Sequence, residues 1–198
     1  MEPFNSIKIN AHKFNEPTIL GKGLRFAYFI FLYFLLRYLE LLIISTSFGI
    51  ALLNPLHESL SVFITHTSCF FLQLFYPDIH VSNDYIIIIA KKTPIQMLSG
   101  CTGLSHMLRL SFVLLVYPMS WLQKGIVFIP TILIVLFAAT LHFLILIPIA
   151  YHDPELYGFA HNYFTRSLFF GFIFLCWLMW EKVKSSPKYI SNKINGNL

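Results

Sequence analysis

Apolar residues run along this chain in blocks, not in alternation. Residues 26 to 53 form the first block, interrupted by Arg37 and Glu40. Those two stand three residues apart, so a helix puts them on one face, where they can neutralise each other. At 1.5 Å per residue the block is roughly 42 Å long against a hydrocarbon core of ~30 Å, so its first turns are expected at the interface or tilted. Residues 55 to 76, PLHESLSVFITHTSCFFLQLFY, follow another pattern. His57, Glu58, Ser61, Thr65, His66 and Ser68 crowd the first half, and the apolar positions form an uneven stripe. That predicts an amphipathic helix lying on a membrane surface. Asp78 to Val81, a Ser-Asn-Asp turn, and the β-branched run from Ile86 to Ile89 ending at Lys91-Lys92 predict a small β-hairpin. Residues 101 to 119, 126 to 150 and 164 to 180 are three further helix-forming blocks. The middle one carries no charge, and its Pro130 and Pro148 are expected to bend it. The last ends in Trp177 and Trp180, expected at an interfacial level.

Charge orients these blocks. Lys8, Lys13, Lys22 and Arg25 precede or open the first, Lys124 sits between the two middle ones, and Lys182, Lys184, Lys188 and Lys193 follow the last. The connection 151 to 161 carries Asp153 and Glu155 and neither Lys nor Arg. Four spans with both flanks cytoplasmic satisfy these positions, provided residues 54 to 98 stay outside. A fifth span over 55 to 76 would push the lysine-rich tail outside.

Composition sharpens the picture. Of 198 residues, 57% are hydrophobic and 12% charged, where a soluble domain carries about 25% charge. This is an all-α integral membrane protein: a four-helix transmembrane bundle with an outer-surface amphipathic helix and a small β-hairpin. Residues 1–25 read as a cytoplasmic segment, 26–182 as one membrane domain, and 183–198 as a basic tail whose Ser, Asn and Lys content predicts disorder. The first block reads as a signal anchor that stays in the protein. The net charge of +5 lies in the flanks and one short loop, the distribution of membrane edges, so no nucleic-acid partner is expected.

Three cysteines, with no Cys-x-x-Cys pair, exclude a disulfide framework or zinc knuckle. Cys69 and Cys176 read as small packing residues. Cys101, in LSGCTGLSHMLRLSFVLLVYP, sits among small residues where an apolar block begins. The topology brings His142, near the outer end of the third span, and His161, opening the fourth, to the same outer level. A thiol becomes a nucleophile only as thiolate, so it needs a base or a positive field. A helix N-terminus supplies the field, backbone amides can hold an oxyanion, and an imidazole supplies the base. Those residues support a membrane-embedded thiol acyltransferase or protease. Blander readings stand beside it: Gly-Cys-Thr-Gly as a small-residue packing surface, His142 as a packing histidine, and His161 beside Asn162 as part of a helix cap. Arg109 must face the interior or a partner, and His106 lies between it and Cys101 as part of the same polar track. His142, His152, Asp153 and His161 match no common metal spacing, and neither a metal nor an organic cofactor is implied.

The stretch GCTGLSHMLRLSFVLLVYP resembles the signature of the exosortase/archaeosortase family, in which Cys followed by Ser, Ala or Thr and then Gly opens a membrane helix. In that family an inner turn and an apolar span ending in Asn-x-x-Arg follow, then an outer loop and a helix beginning with His or Arg. Over roughly residues 25 to 182 this chain follows that order, like compact four-span members. The resemblance implies Cys101 as nucleophile and His161 as the third catalytic position. Where the family has Asn-x-x-Arg, this chain reads Ala139-Thr140-Leu141-His142. His142 therefore takes the middle position, and a fixed cation gives way to a group charged only part of the time near neutral pH. Arg109 and Arg166, within two turns of catalytic positions, are candidates to tune the charge.

The implied activity is that of a cysteine transpeptidase or protease at the outer face of the cytoplasmic membrane. It would recognise the C-terminal tail of secreted proteins (short motif, transmembrane helix, basic end), cut near the motif and pass the acyl group to a surface acceptor. Cys101 would attack the carbonyl, His161 would act as general base and acid, and His142 would polarise the carbonyl or orient the thiol. Expected partners are that tail, the bilayer and membrane partner proteins. The alternative is a catalytically divergent accessory or scaffold subunit of an export or surface-assembly complex, which the replaced arginine favours. Four spans, one intramembrane arginine and no repeat argue against a transporter.

Overall fold

A break at three hydroxyl residues sets the start of the architecture. In the computed structural model, which describes residues 19–83, 86–89, 95–96 and 101–185, the first helix α1 runs Ile19–Ile44 and stops at Ser45-Thr46. Ser45 donates its hydroxyl to the Leu42 carbonyl at 2.7 Å, and Thr46, extended in backbone, accepts from the Gly49 amide at 3.1 Å. This N-cap opens α2, Ser47–Gln73, which runs on through Pro55. The expected apolar stretch to residue 53 is thus two helices, because a Thr at this position stabilises a helix start better than a helix interior. The expected surface helix gains eight residues at its beginning.

One stripe of α2 buries Leu53, Ser61, Ile64, Thr65, Ser68, Cys69 and Leu72, while Leu52, Phe63, Phe70 and Phe71 are exposed. Small and hydroxyl side chains share the protein-facing stripe with Leu and Ile, while the outward face carries Leu and Phe. At its end, Gln73 donates to the Ile79 carbonyl at 3.0 Å and leads into an antiparallel sheet: β1 Ile79–Asn83, β2 Ile86–Ile89 and β3 Ile95–Gln96. The first two strands form the expected hairpin, with Ile79 opposite Ile89, Val81 opposite Ile87 and a bulge between Val81 and Asn83. The third strand, pairing Ile86 with Gln96, was not expected. Lys91-Lys92, the segment before residue 19 and the tail beyond 185 lie outside the described residues.

The remaining helices are α3 Leu104–Val116, α4 Trp121–His152, the short α5 Pro154–Phe159, a π-helical turn Ala160–Phe164, and α6 Thr165–Lys184. A capping box moves the start of α4 ahead of the expected residue 126: Ser120 accepts from the Gln123 amide, and the Gln123 side chain accepts from the Ser120 amide. Among the described residues, α4 and the run Pro154–Lys184 are the helices long and apolar enough to cross a membrane, and α3 is a shorter apolar helix. Buried Val127, Thr131, Val135, Ala138, Ala139, His142 and Leu146 recur along α4 every three or four positions, so one face of this helix meets α2, α3 and α6.

At one end of the bundle the polar groups are tightly paired. Arg25 of α1 grips Glu181 of α6 through two hydrogen bonds of 2.9 Å. Tyr117, just past α3, donates to the same carboxylate at 2.6 Å and accepts from the Trp177 indole at 3.1 Å. Trp180 donates to Thr131 of α4 at 2.9 Å. Both tryptophans are buried, because their N–H groups find acceptors inside and their rings pack on Phe26 and Phe29. Replacing Arg25 by Met strands a buried carboxylate, and a loss of about 3–5 kcal/mol is expected. The double variant Arg25→Met/Glu181→Leu should recover most of it. Thermal unfolding in detergent micelles checks this: equal midpoints for wild type and Arg25→Met would mean that the pair holds nothing together.

Candidate active site

The turn before α3 positions the thiol. Gly103 adopts a left-handed backbone, φ 74° and ψ −2°, and caps α3 without a side-chain bond. A Cβ at this position would stand 3.2 Å from Cγ1 of Val135 and 3.5 Å from Cβ of Ala139, so α4 packs directly on the turn. Thr102 is fully buried; its hydroxyl accepts from the Leu104 amide at 3.4 Å and bonds to Nδ1 of His57 at 3.0 Å. Cys101 therefore does not open the helix, as its sequence position suggested. It stands three residues ahead of Leu104 in 3₁₀ backbone, half-buried, because the positive φ at Gly103 interrupts the helical path.

A cavity of about 810 Å³ opens beside it, lined by Cys101, His142 and His161 together with His106, Arg109 and Arg166. Three separate elements thus bring the three proposed catalytic residues to one space: the turn before α3, the middle of α4 and the π-helical turn. His142 is 2% exposed, and neither of its ring nitrogens meets a hydrogen-bond partner; Nδ1 of His161 is likewise buried without one. The two imidazoles lie 5.7 Å apart at 23°. A buried polar group left unmet costs about 1–3 kcal/mol, so three such nitrogens around one cavity mark a place where a ligand or a proton is handled.

His161 owes its aim to a feature that sequence reading missed. The π-helical turn inserts a residue into the helix and rotates what it carries, a device common at functional sites. Thr165 donates across it to the Ala160 carbonyl at 3.4 Å, and Asn162, instead of capping a helix, donates to the Gly158 carbonyl at 2.9 Å. The Tyr157 ring stacks on His161 at 5.9 Å and 2°, and its phenol lies within electrostatic reach of Cys101.

Deeper in the cavity, Arg109 donates to Oε2 of Glu40 at 2.6 Å and to the Tyr33 hydroxyl at 3.1 Å, with its guanidinium 5.2 Å from the Tyr33 ring centre. The Tyr33 hydroxyl is in turn hydrogen-bonded to Nδ1 of His106. The His106 ring packs against Phe169 at 4.5 Å and lies parallel to Tyr33 at 6.2 Å. This corrects the expected pairing of Glu40 with Arg37. Glu40 and Arg109 are both largely buried, where an unpaired charge is least tolerable, whereas Arg37 is more exposed and borders the cavity. Arg109 consequently does not face the thiol as an uncompensated cation. Arg166 lines the cavity and is exposed.

The residues weighed for metal binding separate. His152 bonds to the Tyr76 hydroxyl at 3.3 Å, and Asp153 caps α5 by accepting from the Glu155 and Leu156 amides. Among the described residues no group of three or more His, Cys, Asp or Glu converges as a ligand set. Tyr33, Glu40 and His57 join the site from distant segments, where nothing local in the chain assigns them to it, whereas Tyr157 lies one helical turn before His161.

The model of one family, transmembrane exosortase (Exosortase_EpsH), matches residues 19–179. No curated protein and no solved structure matches the chain.

Gly103→Ala tests the geometry of the turn. The left-handed backbone and the contact with Val135 together are expected to lower stability by about 1–3 kcal/mol and to change the alkylation rate of Cys101. A thermal midpoint and an iodoacetamide rate both equal to wild type would show that the turn is not so constrained.

Proposed function

This chain belongs to the transmembrane exosortase family, and from that premise we propose that it is a cysteine transpeptidase or protease that processes C-terminal sorting tails of secreted proteins at the outer face of the cytoplasmic membrane. The observation that carries the reading is the single cavity where Cys101 meets two imidazoles with three unpartnered ring nitrogens. In this reading His161 takes the thiol proton and Cys101 attacks the substrate carbonyl. The carbon–nitrogen bond breaks, and His161 returns the proton to the leaving amine. A thioester on Cys101 remains, and an acceptor amine, hydroxyl or water attacks it with His161 again as base, restoring the thiol. His142, buried in the wall of the same cavity, orients the thiol or donates to the carbonyl oxygen.

The proposed topology is four spans formed by α1, α3, α4 and α6, with α2 and the sheet on the outer surface. Two features support it. Arg25 near the start of α1 pairs with Glu181 near the end of α6, so both flanks lie at one end of the bundle. His57 of α2 bonds to the Cys101 turn, and Tyr76, just past α2, bonds to His152 at the end of α4. His57, about three turns into α2, and Tyr76, just past its end, therefore both meet groups at the opposite end of the bundle, as a helix lying across that surface would. The basic residues at the flanks put the paired end in the cytoplasm and the thiol outside, where a secreted tail emerges.

One second reading has an observation in its favour. His142 stands where the family pattern carries arginine, and a scaffold subunit that kept the fold without the reaction would tolerate that. Mass spectrometry of surface-protein C-termini in the native host separates the two. With Cys101→Ala, membrane-tailed precursors are expected to accumulate, and His161→Phe should slow processing by about 10²–10⁴-fold. Unchanged C-termini in both variants, with an effect only on deleting the whole protein, would install the scaffold reading instead.

A further inference from the structure

The polar chain at the depth of the cavity has a direction, and hydrogen-bond accounting supplies it. Arginine only donates, so in the bond between Arg109 and Tyr33 the phenol oxygen is the acceptor. That oxygen keeps its own proton, and its other partner among the described residues is Nδ1 of His106. If Nδ1 carried a proton, two N–H groups would converge on one oxygen and the phenol proton would be stranded in a buried place. With Nδ1 as acceptor, the phenol both accepts from Arg109 and donates its own proton, and the ring proton must sit on Nε2.

We infer that the Glu40–Arg109–Tyr33 chain fixes His106 as the Nε2–H tautomer, and that His106 is a further hydrogen-bond donor of the site, directed at the oxygen of the attacked carbonyl. Each bond in the chain polarises the next. The guanidinium sharpens the phenol as a donor, the phenol draws electron density from Nδ1, and Nε2–H becomes the stronger donor at the cavity wall. Glu40 anchors the arginine from behind. Packing fixes the ring in the remaining sense: Phe169 covers one face and the Tyr33 hydroxyl holds the Nδ1 edge, so rotation away from the cavity would break both contacts. The arginine thus acts on the reaction through His106, without touching the reacting atoms. A chain with His142 at the middle position gains in this way a donor whose state is set by a permanent cation. The donor role rests on Cys101 as nucleophile; the tautomer does not.

The test has two independent arms. The full chain with ¹⁵N-labelled histidine, in detergent micelles, is read by NMR, with the His106 signals identified by their loss in His106→Gln. An acceptor Nδ1 and a protonated Nε2 are expected in wild type, with the tautomers mixing in Tyr33→Phe; a protonated Nδ1 in wild type overturns the inference. In the native host, tail processing is compared for Cys101→Ala, His106→Phe and His106→Gln. His106→Phe should slow it by about 10²–10³-fold, the cost of removing an oxyanion donor, and His106→Gln, whose amide can still donate, should restore a large part. Wild-type processing by His106→Phe beside an inactive Cys101→Ala overturns the donor role alone. If Cys101→Ala itself processes normally, the thiol reading falls and takes the donor role with it, while the NMR arm still judges the tautomer.

Discussion

A bundle this apolar has one governing constraint: each polar side chain it encloses must find its partner inside. Water cannot serve in the hydrocarbon region, where an unmet group costs far more than at a surface. The bidentate Arg25–Glu181 pair is the clearest response. It joins the start of α1 to the end of α6, and Tyr117 and Trp177 consume the remaining capacity of the carboxylate and the phenol. Such a pair contributes little net attraction once desolvation is counted, yet losing one member is severe. Its effect is on arrangement. Only a packing that brings these four side chains together avoids a buried charge, so the pair selects the register of α1 against α6 and fixes which ends of the bundle coincide.

The same constraint distinguishes framework from site. At the paired end Arg25, Glu181, Tyr117 and Trp177 bond to one another, and along the middle Glu40, Arg109, Tyr33 and His106 form a second hydrogen-bonded chain. Elsewhere among the described residues a buried side-chain atom without a partner occurs singly, at Glu40 Oε1, Ser68 Oγ and Lys184 Nζ, whereas around His142 and His161 three ring nitrogens are left open at one cavity that the thiol also lines. Families of packed helices do not keep such groups for stability, since apolar residues of similar volume would pack as well without the penalty. The open nitrogens and the cavity they border are therefore two aspects of one feature: space and hydrogen-bonding capacity reserved for something that arrives from outside the fold.

How far this was legible in the chain depended on the range of each interaction. Apolar blocks, the hairpin at Ile79–Ile89 and the convergence of Cys101, His142 and His161 could be read because block length, β-branched runs and topology are properties of local sequence and count. The start of α2 was misplaced because a single threonine cap at Thr46 outweighs a run of apolar residues that looks continuous. Glu40 was assigned to Arg37, three residues away, but bonds to Arg109, 69 residues away. Nothing in a helical pattern ranks those two arginines until burial does. The π-helical turn under His161 has no sequence signature at all, since the inserted residue differs from its neighbours only in hydrogen-bond partner. That Trp177 and Trp180 are buried and donate to Tyr117 and Thr131 was not legible, since those acceptors lie 60 and 49 residues away.

The departure from the family pattern at the middle position also has a steric side. Ala139 and His142 are one helical turn apart, so they share a face of α4. Ala139 is fully buried beside Gly103, close enough that a Cβ on the glycine would be in contact with its own. A larger polar residue there, such as the asparagine of the family pattern, would press into the left-handed turn that carries the thiol. Small residues on both sides let α4 approach until His142 lies at the depth of the cavity instead of above it. A long flexible arginine can reach a distant oxygen from a helix held further away; a histidine, with a shorter reach, needs its backbone closer. Alanine at 139 and histidine at 142 therefore act together: the small residue lets α4 pack directly on the turn, and that approach brings a short side chain to the cavity wall.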